Sequence, residues 1–233
     1  MISASQYYVE KLYPLQDGVM STLSKSGLGF YLTGGTALSR AYFNHRYSDD
    51  LDFFINDALD YQSQVNEALA KLKEAGFFWD EYKDYLRVDR FTTLKVGWDK
   101  SEVLLKLDFV NDIDVQFGGI VETHLYHRTD SIRNILSNKL TCLFRFAGKD
   151  VADIREIALH SKINWKQAIR DAQEKDLGVQ VELVRDILRG IPKYEFDKVE
   201  WIKKPLWEEF YADIERIVKE IINGENYEHR IFS

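Results

Sequence analysis

The stretch GGTALSRAYFNHRYSDDLDFF, residues 34 to 54, constrains the fold more than any other part of the chain. A glycine pair leads through a helix-sized interval into a run where Asp50 and Asp52 alternate with Leu51 and Phe53. Alternation with a period of two belongs to a strand, with the carboxylates on one face and the apolar residues on the other. Upstream, GFYLT at 29 to 33 is short, aromatic and β-prone. The segment therefore reads as strand, glycine turn, helix over Thr36 to Phe43 with Thr33 or Thr36 as cap, and strand over LDFFI at 51 to 55. Asp49 falls on the opposite face and reads as structural or exposed.

The remaining periodicities divide the chain into a mixed half and a helical half. Tyr8, Leu12, Leu15, Val19 and Leu23 recur at helical spacing within residues 5 to 25, a helix stopped by Gly27 and Gly29. A second helix spans 58 to 75 and ends before Gly76. FTTLKVGW at 91 to 98 and VLLKLDFV at 103 to 110, joined by the turn-forming DKS, read as a hairpin. Beyond residue 131 the predicted helices are Asn138 to Ala147, Asp150 to His160, Trp165 to Gln173 and Val179 to Leu188. An irregular stretch between Pro192 and Pro205 follows, then a helix whose stripe from Trp207 to Ile221 stops at Asn223-Gly224. The expected fold class is α+β, a mixed β-sheet domain over residues 1 to 128 flanked by helices and a helical C-terminal domain over 129 to 233.

Two carboxylates held on one strand face repel each other, and a bound cation or protonation relieves the repulsion. Magnesium suits such a pair, because it takes oxygen ligands and usually shares them with substrate phosphates. Glycines between a strand and a helix let the backbone approach a ligand closely and turn N–H groups toward phosphate oxygens. Gly34 and Gly35, with the Thr36 hydroxyl, are thus candidates for holding a triphosphate beside Asp50 and Asp52. In KLDF at 106 to 109, Lys106 and Asp108 share a strand face opposite Leu105, Leu107 and Phe109. Asp108, which alternation puts on the functional face, and Asp112 and Asp114 in the competing DID are further candidate carboxylates.

The run from Gly34 through Arg46 and Ser48 to DLDFF, followed by KLD, resembles the first motifs of the nucleotidyltransferase superfamily that includes DNA polymerase beta. The fuller string is most similar to the AbiEii/AbiGii toxin branch, over residues 30 to 160. That resemblance implies a nucleotidyltransferase with two magnesium ions on Asp50, Asp52 and Asp108, and Lys106 among the catalytic residues. It implies Gly34, Gly35, Thr36, Arg46, Ser48 and Lys139 as nucleotide contacts, and Asp150 and Asp153 as a further acidic pair. Against the last pair stands an acidic first turn that simply complements the helix dipole. The implied partners are a nucleoside triphosphate, a tRNA or protein acceptor and a separately encoded antitoxin.

Net charge limits the alternatives. With 31 basic against 38 acidic residues the chain does not grip duplex DNA by its global field, although Arg128, Arg133, Lys139, Arg145 and Lys149 form a local basic segment. That segment suits triphosphate or an RNA backbone, or else a solvated helix surface. One cysteine and five histidines fall in no zinc-ligand spacing, and no Walker or G-x-S-x-G motif occurs. A cytoplasmic location and no membrane contact are expected. Transfer to a small molecule, or a non-catalytic nucleotide-binding or partner-binding module, are the rival readings.

Overall fold

The computed structural model describes residues 2–98 and 103–224; the turn expected at Asp99-Lys100-Ser101 lies outside them. The chain divides into two compact units, Met1–Asp130 and Ser131–Ser233.

The first unit is a mixed sheet with helices. Its strands are β1 (Tyr31–Thr33), β2 (Leu51–Asn56), β3 (Phe77–Phe78), β4 (Tyr85–Val88), β5 (Phe91–Trp98), β6 (Leu105–Asp112), β7 (Ile120–Val121) and β8 (Thr129–Asp130). They lie in the order β3-β5-β6-β2-β1-β8-β7, with β4 also paired to β5. β2 runs parallel to β6 and β1 parallel to β8, while the other pairs are antiparallel. The expected hairpin is the β5–β6 pair, although β6 begins at Leu105 and not at Val103.

Alternation decides which way this sheet faces. Leu51, Phe53, Leu105, Leu107 and Phe109 are fully buried on one face, where the Phe53 and Phe109 rings stack with centroids 5.6 Å apart. Each such side chain contributes about 1.5–3 kcal/mol on burial, so a one-residue slip that sent Asp52 and Asp108 inward is prohibitively costly. The helical turns over residues 4–24 begin at a capping box between Ser3 and Gln6 and bury Tyr8, Leu12, Leu15, Val19 and Leu23, the stripe read from the sequence. The Tyr61–Glu74 helix buries Tyr61, Val65, Ala68 and Leu72.

The second unit is helical. Its first helix spans Ile132–Cys142, six residues upstream of the predicted start. Ser131 is the reason: its Oγ accepts from the Asn134 backbone N–H at 3.1 Å, an N-cap the apolar pattern alone does not reveal. Gly148–His160, Trp165–Lys175, Val181–Gly190 and Trp207–Asn223 follow close to expectation. The stretch expected to be irregular contains the short Lys193–Asp197 helix, with Pro192 at its N-cap. There Phe196, Trp201, Trp207 and Phe210 form an aromatic cluster. Among the described residues no helix is long and apolar enough to cross a membrane.

Candidate active site

The glycine turn and the carboxylates meet because β1 and β2 are antiparallel neighbours. Gly34, directly after β1, has φ +71°, and a Cβ built on it would lie 2.2 Å from Asp52 Oδ2. Glycine is needed there twice, for the left-handed backbone and for the space that the Asp52 carboxylate fills. A Cβ on Gly35 would meet Arg46 Nη2 at 2.3 Å and Ser48 Oγ at 3.1 Å. Arg46 and Ser48 are both buried and so pack directly against the glycine turn.

Thr36 anchors the turn from its buried side. It is fully buried, and its hydroxyl donates to the Asp50 carbonyl, tying the glycine turn to the residue that precedes β2. The helix behind it widens over Ala37–Phe43 and closes when the Asn44 N–H donates to the Ser39 carbonyl at 2.6 Å. Ser39 Oγ in turn donates to the Arg46 carbonyl.

Across the sheet, Thr33, Asp52, Asp108 and Thr93 form one row through β1, β2, β6 and β5. Asp108 is therefore the carboxylate opposite Asp52. Asp112 lies at the far end of β6, facing Asn56, about 13 Å along the strand from Asp108. Asp108 Oδ2 accepts from Lys106 Nζ at 2.5 Å, while Oδ1 is buried with no hydrogen-bond partner. Burial acts to lower the Lys106 pKa, but the bond to Asp108 and the charges of Asp108, Asp50 and Asp52 outweigh it and hold the ammonium above its ordinary value. Continuing the β2–β6 register by one step sets Asp50 beside Lys106.

These residues fit magnesium in one particular way. Among the described residues no three His, Cys, Asp or Glu side chains form a ready-made metal cage. The partnerless Oδ1 of Asp108 opposite Asp52 is instead the kind of open carboxylate set that magnesium occupies together with substrate phosphates.

Three residues outside the motifs shape this region. Gln16, fully buried, donates to the carbonyls of Ser48 at 2.9 Å and Asp49 at 3.3 Å, and its Oε1 accepts from Arg40 at 2.9 Å. Its signal was a polar residue on the apolar stripe, one turn after Leu12. Tyr8 donates to Asp49 Oδ1 at 2.7 Å and stacks on Tyr47 with ring centroids 4.4 Å apart, so Asp49 is exposed but tethered. Lys95 on β5 faces Lys106 on β6. A cleft of about 430 Å³ lies here, lined in part by Asp50, Lys95 and Lys106.

Lys139, Asp150 and Asp153 lie together in the second unit. Lys139 Nζ is 3.0 Å from Asp150 Oδ1 and 2.6 Å from Asp153 Oδ2, and all three side chains are at most 7% exposed. Arg145 also pairs with Asp150, and Arg133 with the buried Asp171 at 2.6 Å. Three of the five cations of the basic segment are thus in ion pairs.

Residues 19–221 match the family described as nucleotidyl transferase AbiEii toxin, type IV TA system. No curated protein matches the chain. Among solved structures, JHP933 from Helicobacter pylori is similar with a TM-score of 0.61 at 19% identity, covering 96% of each chain. MenT4, a nucleotidyltransferase toxin from Mycobacterium tuberculosis, is similar with a TM-score of 0.64 at 16% identity, covering 95% of this chain and 86% of that one. At these identities the likeness is one of fold.

Proposed function

The chain belongs to the nucleotidyl transferase AbiEii toxin family, and from that premise we propose that it transfers a nucleoside monophosphate from a nucleoside triphosphate to an acceptor hydroxyl at Asp50, Asp52 and Asp108. The observation that carries this reading is the row in which Asp52 and Asp108 stand opposite each other, beside a glycine whose missing side chain makes room for the first of them.

Asp50 and Asp52, completed by Asp108, would hold magnesium, which when bound supplies positive charge to the triphosphate and the departing pyrophosphate. Gly34 and Gly35 present backbone N–H groups to phosphate oxygens, with Arg46 and Ser48 packed behind them. Asp108 Oδ1, lacking a partner, takes the proton of the acceptor hydroxyl. The acceptor oxygen then bonds to the α-phosphorus as the bond to the β-phosphate oxygen breaks and pyrophosphate leaves. Lys106, held charged by its carboxylate neighbours, offsets the negative charge that develops.

The acceptor in this proposal is a tRNA 3′ end or a protein hydroxyl, and the family's type IV toxin description supports a cognate antitoxin as a further partner. The test is incubation of the purified protein with each α-labelled triphosphate, magnesium and total tRNA, beside the Asp52→Asn variant. Label on RNA or on protein that vanishes in the variant is expected. No label on RNA or protein from any triphosphate, with nucleotide still bound, overturns transfer to these acceptors and favours a small-molecule acceptor or a binding module.

A further inference from the structure

Beside the carboxylate row, the first unit carries two groups that the proposed chemistry leaves unused, Lys95 and Tyr7. Lys95 and Lys106 stand directly opposite each other on antiparallel strands. Like charges in that position are destabilising, so an anion between or above them is the arrangement's natural complement. Lys106 already has Asp108. Among the described residues, Lys95 has no carboxylate in ion-pair range, and its side chain is exposed into the cleft.

The same cleft has an aromatic and apolar wall. Tyr7, half-buried, stands there with Leu12 and Leu104. Tyr8 packs edge-on against the Tyr7 ring with centroids 5.4 Å apart, and Tyr8 is itself fixed by Asp49 and Tyr47. Tyr7 is therefore braced from behind. It precedes the span that matches the family, which begins at residue 19.

Strand order separates Lys95 from the glycine turn, although Asp50 of the same cleft adjoins that turn. From β1 through β2 and β6 to β5, Gly34 adjoins one end and Lys95 sits at the other, with the carboxylates between. Resting on the proposal that the donor triphosphate takes the glycine end, we infer that Lys95 and Tyr7 form a second nucleotide subsite, for a phosphate and a base ring of the acceptor. A cation and an aromatic face together are what a single-stranded nucleotide offers contacts to, its phosphate by charge and its base by stacking. A lone hydroxyl of a protein acceptor does not require this pairing of a cation with an aromatic face, whereas a nucleotide's phosphate and base use both.

The test measures binding without turnover. In an Asp52→Asn background, the affinity of a short fluorescent oligoribonucleotide is measured against salt concentration, and that of nucleoside triphosphate is measured separately. Lys95→Gln is expected to weaken the oligoribonucleotide about tenfold and to lower the slope of log K against log salt by about 0.7. Tyr7→Ala is expected to weaken it about tenfold, with Tyr7→Phe restoring it because the stacking face is kept. Triphosphate affinity should not move. Unchanged oligoribonucleotide affinity in both variants, or an equal loss of triphosphate affinity, overturns the second subsite. If the parent chain labels neither RNA nor protein while these binding losses appear, the proposed transfer to those acceptors fails and the subsite stands. If label transfer to RNA proceeds at the parental rate in both variants, the subsite fails alone.

Discussion

Asp52 and Asp108 stand opposite each other in the parallel register of β2 and β6, and a side chain on Gly34 would collide with the first of these carboxylates. Two acids are thus held together by backbone pairing, with Lys106 as the adjoining cation. On the proposed function, such an arrangement trades stability for chemistry. Asp52→Asn should lower transfer about 100- to 1,000-fold while raising unfolding stability by about 0.5–2 kcal/mol. Steady-state transfer and urea denaturation of the same preparation check both halves. A variant that is both inactive and less stable would count against the repulsion.

Magnesium should stabilise the parent chain and not this variant. A ligand that binds only the folded state adds about 1.4 kcal/mol at ten times its dissociation constant. Thermal unfolding with magnesium and with a chelator measures the difference, and an equal magnesium shift in Asp52→Asn would place the ion elsewhere.

Lys106 gives the site a pH signature. Its folded-state pKa lies above the ordinary lysine value of 10.5, because the Asp108 bond and three carboxylate charges outweigh the opposing effect of burial. A raised folded value means the stabilisation is fully present below the unfolded value and is lost as pH climbs through the folded one. The stability gap between the parent and Lys106→Met should be flat from neutrality upward and should close only above about pH 10.5. Urea midpoints across that range test this, and a gap that closes near neutrality contradicts it.

The buried trio in the second unit should behave as a structural unit. Asp153→Ala leaves Lys139 with one fewer counter-charge at a site 7% exposed, and breaking such a pair costs about 3–5 kcal/mol. Replacing Lys139 by Met together with both aspartates by Asn should cost much less, since no buried charge is left stranded. Helical circular dichroism during urea unfolding compares the variants, and equal losses in both would refute the pairing argument.

How much of this was legible in the sequence depends on the range of the interaction. Alternation of Leu51 and Phe53 with Asp50 and Asp52 is local, so the strand and its two faces could be read directly. The same holds for Leu105 to Phe109 around Lys106 and Asp108. Which strands become neighbours is not local. That β6 pairs with β2, and so sets Asp108 and not Asp112 against Asp52, follows from a parallel pairing that no short window encodes. Lys95 carries meaning only once the β5–β6 register puts it opposite Lys106. β4 escaped because Leu86 and Val88 are more than half exposed, which leaves this strand without a buried apolar face to announce it. Thr36 had the right position for a phosphate contact, yet its hydroxyl is taken by the Asp50 carbonyl, a bond that depends on where β2 begins.

Glycine substitutions separate backbone strain from the cost of filling the site. Gly27 and Gly34 share φ +71°, but a Cβ on Gly27 meets nothing within 4 Å, while one on Gly34 would lie 2.2 Å from Asp52 Oδ2. Gly27→Ala should therefore cost only the left-handed conformation, about 1–2 kcal/mol, and leave transfer unchanged. Gly34→Ala carries the same backbone cost and must also displace the Asp52 carboxylate, so transfer should fall by at least the factor seen for Asp52→Asn. Gly35→Ala is the intermediate case: its Cβ meets the far end of the flexible Arg46 side chain, which can shift, so stability should change less than in Gly34→Ala. Urea denaturation and transfer rates for the three variants give the ordering, and a fully active Gly34→Ala would show that the Asp52 carboxylate need not sit where this turn places it.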